Sequence, residues 1–66
     1  MTYTVYEIYI SKSGNTTDYD LISTGSADNA KNYARDMEMY KESDSFKYEI
    51  RYNEDFERGT YKILAF

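Results

Sequence analysis

The chain contains no cysteine, no histidine and no proline, and only three glycines in 66 residues. Without cysteine there is neither a disulfide framework nor a thiolate ligand, and without histidine the commonest zinc ligand and the commonest general base are both missing. Composition therefore excludes zinc centres built on these residues, triads that use histidine, and haem held by histidine. Basic charge is scarce as well: eight bases against twelve acids give a formal charge of −4. Such a balance repels a phosphate backbone unless the bases gather on one face, and in the sequence they are dispersed. Long apolar runs are also lacking. The opening Met-Thr-Tyr-Thr-Val-Tyr-Glu has no basic region and Glu7 interrupts its apolar run, so the sequence predicts neither a signal peptide nor a membrane span and points to the cytoplasm. Asn15-Thr16-Thr17 fits a glycosylation sequon, which without a secretory signal reads as coincidence in a polar loop.

Tyrosine, by contrast, is abundant, with nine copies. Its apolar ring and wet hydroxyl suit a half-buried strand, so the composition points to sheet. The length fits a single domain, residues 1–66, near the lower limit at which a chain folds without disulfides or metal. No repeat, low-complexity segment or linker interrupts it.

Residues 2–10, TYTVYEIYI, read as a first strand, with Tyr6, Ile8 and Ile10 on one side and Tyr3, Val5, Glu7 and Tyr9 on the other. Glu7 marks its own side as wet, which points the Tyr6 side inward. After the turn cluster Ser11 to Thr16, residues 17–24 return as a second strand, with Tyr19 and Leu21 opposed to Asp18, Asp20 and Ile22. Gly25 ends that strand and Ser26 is a good N-cap for a helix over 27–42, whose apolar residues at 27, 30, 33, 34, 37 and 40 form one stripe. Ala30 and Ala34 at the stripe centre allow close approach to a sheet, and Met39 falls on the opposite, exposed face. FKYEIRY alternates without interruption, setting Phe46, Tyr48, Ile50 and Tyr52 against Lys47, Glu49 and Arg51 in a third strand over 46–53. A fourth strand over 60–66 follows, with Lys62, Leu64 and Phe66 on its wet side. The order ββαββ predicts an α+β fold: a four-stranded antiparallel sheet with one helix packed across one face.

Several surfaces are candidates for function. The wet sheet face collects Tyr3, Val5, Glu7 and Tyr9, Asp18, Asp20 and Ile22, Lys47, Glu49 and Arg51, and Lys62, Leu64 and Phe66. As a binding platform its aromatics anchor a partner and its charges set specificity; as an ordinary solvated face its cross-strand pairs merely stabilise the sheet. Leu64 and Phe66 also suit a dimer contact. Tyrosines on a sheet resemble base-stacking platforms, and Lys47, Arg51 and Lys62 share the face, but the glycine, basic and aromatic pattern of RNA-recognition strands is absent and the net charge has the wrong sign. Asp18 and Asp20 lie about 7 Å apart by strand rise, a spacing that strand alternation alone produces; no second cluster completes a metal site or an acid/base pair. The loop NEDFERG, residues 53–59, lacks the spacing and central glycine of an EF-hand and reads as a turn with Gly59 at positive φ. Within it Phe56, flanked by Asp55 and Glu57, either folds back over the end of the core or projects as an anchor. Folding back is favoured, since burying a phenylalanine stabilises a small domain by about 2 kcal/mol. Met39, with Arg35 and Glu42 beside it, is a further contact point.

No motif assigns the chain to a family. In size, acidity, freedom from His and Cys, and compact ββαββ pattern it resembles the small proteins that phages and mobile elements encode to bind and block host or defence machinery. That resemblance implies a non-catalytic protein-binding module, an inhibitor, needing no cofactor and no metal. Its site residues would be drawn from Tyr3, Tyr9, Lys47, Arg51, Leu64, Phe66, Asp55, Phe56, Glu57 and Met39. The alternative is an assembly protein that homodimerises through the wet face or an edge strand, with nucleic-acid binding a third reading.

Overall fold

The computed structural model describes residues 1–53 and 60–66. The expectations for Asp55, Phe56, Glu57 and Gly59 lie outside the described residues. Strands β1 (Tyr3–Ile10), β2 (Thr16–Thr24), β3 (Phe46–Tyr52) and β4 (Lys62–Leu64) and helix α1 (Ala27–Tyr40) follow in the order ββαββ. The strands form one antiparallel sheet in the order β2-β1-β3-β4, with α1 packed on one side, a small α+β domain.

The β1–β2 turn closes through backbone bonds from Gly14 N to Ser11 O and from Ser11 N to Asn15 O. Gly14 has φ +88°, a conformation that glycine adopts without the steric cost a Cβ brings. Ser26 caps the helix as its position predicts, its hydroxyl accepting from Asn29 N at 3.2 Å. The helix stops at Tyr40, the last residue of its stripe and two residues before the expected end at 42, with Lys41 extended at φ −62° and ψ 143°. Lys41 Nζ then donates back to Glu38 Oε1 at 2.7 Å, which puts a cation at the negative end of the helix dipole.

The core is a single layer. Val5 and Ile50 lie opposite each other on the two central strands, and with Ala30 and Ala34 of the helix they are fully buried. Tyr3, Leu21, Ile22, Tyr33 and Leu64 pack around them.

Two strand faces differ from the sequence reading. Pairing of Val5 with Ile50 turns the Tyr3, Val5, Glu7 and Tyr9 side of β1 toward the helix and leaves Tyr6, Ile8 and Ile10 on the open side. Glu7 is tolerated on the helix side because it is only half-buried and accepts a hydrogen bond from Tyr48 Oη at 3.0 Å. In β4, Leu64 pairs with Ile50 and joins the core, so the Leu64 side is the inner one. Within β2, Val5 pairs with Ile22 while Tyr6 pairs with Asp20. Leu21 is therefore the extra residue of a bulge. The bulge lets Ile22 reach the core while Asp18 and Asp20 stay on the open side, which strict alternation forbids. β4 is also shorter than the predicted 60–66, since only Lys62, Ile63 and Leu64 find partners on β3.

Two outcomes follow. Ala34→Leu forces three extra heavy atoms into a layer with no free space, so chemical denaturation should show a loss of about 1–3 kcal/mol. The Tyr48 hydroxyl is pushed up to about 12, first by burial and then by its bond to Glu7, with Glu38 and Glu42 adding to the effect. A pKa raised in the folded state means that the protonated phenol stabilises the fold fully below about pH 10 and loses that contribution as pH rises through about 12. Tyr48→Phe should remove this part of the alkaline limb in a stability–pH profile and cost about 1 kcal/mol at neutral pH.

Candidate protein-binding surface

The side of the sheet away from α1 has no helix or strand over it among the described residues. From β1 it presents Thr4, Tyr6, Ile8 and Ile10, from β2 Asp18 and Asp20, from β3 Lys47, Glu49 and Arg51, and from the β4 end Tyr61 and Ile63. Alternation in each strand selects these residues once the Val5–Ile50 pair has fixed which side is inner.

Arg51 organises this surface. Its guanidinium carbon lies 4.3 Å from the centroid of the Tyr6 ring and 4.8 Å from that of Tyr61. Nε donates to Glu49 Oε2 at 2.6 Å, and Nη1 pairs with Asp18 Oδ2 at 3.0 Å. One side chain thus bridges β3, the Tyr6 ring on β1 and the carboxylate on β2. Burial works against its charge, and the bonds to Glu49 and Asp18 outweigh that cost and hold its pKa above the ordinary value. A planar, multiply donating guanidinium suits this arrangement of two carboxylates and two rings, which lysine cannot match.

Beside Arg51 is a depression of about 370 Å³, lined in part by Thr2, Thr4, Tyr6, Tyr52, Asn53 and Tyr61. Among its described lining residues there is no carboxylate. Thr4 Oγ1 is bonded to Ser23 Oγ at 2.9 Å. Around the depression Tyr61 is 52% and Ile63 58% exposed. Ile8, on the same side but 9% exposed, shows that the side chains of this face cover one another.

The site residues expected from sequence fall on different surfaces. Lys47 and Arg51 lie on the open side, Lys47 exposed and paired in register with Ile8. Tyr3 and Tyr9 belong to the helix side, with rings 5.3 Å from Tyr52 and 5.5 Å from Phe46 respectively. Leu64 packs on the core, while Phe66, beyond the last strand residue, is partly exposed. Met39 is exposed on the helix beside an exposed Tyr40. The expected platform of Tyr3, Tyr9, Leu64, Lys47 and Arg51 is thus split between the two sides by the inverted phases of β1 and β4. The reading from sequence missed Tyr6, Tyr61 and Ile63, because alternation in β3 fixes only its own faces, and the pairings of Tyr6 with Glu49 and of Ile63 with Arg51 come from register between distant strands.

If Arg51 ties this surface together, Arg51→Lys should keep the charge yet cost about 1 kcal/mol in denaturant unfolding. A double-mutant cycle with Asp18→Asn should return a coupling of at least about 0.5 kcal/mol. Comparison of the chain with protein-family models, curated proteins and solved structures finds no match, so this geometry is what bears on function.

Proposed function

We propose that the chain is a non-catalytic protein-binding module that engages its partner through the open sheet face around Tyr6, Arg51 and Tyr61. The supporting observation is the fixed position of Arg51, stacked on two tyrosine rings and held by two carboxylates on a face that no helix or strand covers among the described residues. Arginine and tyrosine dominate the few residues that carry most binding energy at protein interfaces. Holding them in place before contact lowers the entropy lost on binding. The exposed Ile63 and the neighbouring depression supply apolar area and a concave seat for a partner side chain. Action as a small inhibitor of host or defence machinery, in the cytoplasm, is the form of this function that the resemblance in size and acidity favours. Nucleic-acid binding loses support on this surface, because Arg51 is already paired with two carboxylates.

Affinity capture with the wild-type chain and two variants tests the surface. Tyr61→Ala should lower recovery of the captured protein by about tenfold or more while the melting temperature stays near that of the wild type. Met39→Ala, on the helix, should leave recovery unchanged. Undiminished capture by Tyr61→Ala, or loss with Met39→Ala alone, would move the interface off the open face.

A further inference from the structure

We propose that two copies of this chain pair through β4, antiparallel across a two-fold axis, so that their sheets become continuous. The sheet has two edges, β2 and β4, and the sequence treats them differently. β2 carries Asp18 and Asp20 on one side and a bulge at Leu21. Two-fold pairing of β2 with its copy about Tyr19 would set Asp18 directly opposite Asp20 of the second copy, and Asp20 opposite its Asp18. Like charges directly opposite destabilise a sheet, and a bulge further disrupts a regular ladder, so this edge is guarded against its own copy.

The β4 edge has the opposite character. Residues 60–66 contain no acid in a chain of net charge −4, so two copies meet there with the least repulsion. The helix packs on β1, β2 and β3 but not on β4, and apolar side chains are exposed on the open side of this strand and just beyond its end. Ile63 is 58% and Phe66 40% exposed. Centring the two-fold on Ile63 places it against Ile63 of the second copy, Lys62 against Leu64, and Tyr61 against Ala65. No like-charged pair is directly opposed in this register. A head-to-tail alternative, β4 on β2 of the next copy, would grow beyond a dimer, into a ring or a filament. The three-residue strand and these side chains bury less than the roughly 800 Å² per partner of a standard interface, so the pairing is concentration-dependent. Edge-to-edge pairing leaves Tyr6 and Arg51 uncovered; Tyr61 and Ile63 border both surfaces, so the dimer is read from mass and amide protection and not from the capture experiment.

Sedimentation equilibrium and amide hydrogen exchange on the unmodified chain, from roughly 10 μM to roughly 1 mM, test the pairing. The mass should rise from monomer to dimer and stop, and protection of the β4 amides that point away from β3 should rise several-fold with concentration. Ile63→Asp, at an exposed position, should remain monomeric at the highest concentration with its circular dichroism melt retained. If that variant unfolds, Ile63→Thr keeps a β-branched strand residue and should weaken the dimer at least about fivefold. A monomer throughout, growth beyond a dimer, or a dimer in which β2 gains the protection would each overturn the proposal.

Discussion

Everything in this domain depends on how closely α1 can approach two strands. Ala30 and Ala34 meet Val5 and Ile50, and these four residues form its fully buried cluster. Small residues on the helix bring its axis near the sheet, so the two larger side chains opposite them are enclosed without a second layer. Since each buried methylene contributes about 0.8 kcal/mol, a core this small leaves little reserve, and its rim must contribute. Tyr3, Tyr33, Leu21, Ile22 and Leu64 form that rim, and tyrosine serves there because its ring packs while its hydroxyl stays wet.

The same constraint explains the sheet's other side. Among the described residues, one helix packs on the inner side and no helix or strand covers the other, and the side chains there cover one another instead. Arg51 spans the surface between two rings and two carboxylates, and Ile8 is almost hidden although no strand or helix overlies it among the described residues. A solvated face of this kind needs no partner to be stable, yet it holds arginine and tyrosine in fixed positions. In the proposed function, stability of the domain and presentation of a binding surface rest on the same interaction.

Much of the fold was legible in the sequence because the periodicities are strong. The helix stripe from Ala27 to Met37, its Ser26 cap, the exposure of Met39 and the uninterrupted alternation of β3 each correspond to a feature of the structure, whereas Tyr40, the last residue of the expected stripe, is 77% exposed at the helix end. The surface was less legible. Both sides of β1 are apolar enough to face a core, so Glu7 was the deciding residue, and it pointed the wrong way. A half-buried carboxylate can accept the Tyr48 hydroxyl at 3.0 Å on the helix side, and no local pattern announces a partner 41 positions away. The phase of β4 was ambiguous for a similar reason, with Leu64 and Ile63 equally apolar neighbours.

The sequence by itself determined the ββαββ order, the helix stripe, the inner face of β3 and the exclusion of chemistries that need histidine or cysteine, because these depend on composition and on patterns within a few residues. Only the tertiary structure decided the strand order β2-β1-β3-β4, the side on which β1 and β4 present their residues, and the union of Tyr6, Asp18, Glu49, Arg51 and Tyr61 on one surface. Those depend on pairing register between strands far apart in the chain. A slip of one residue in that register moves every side chain to the other face.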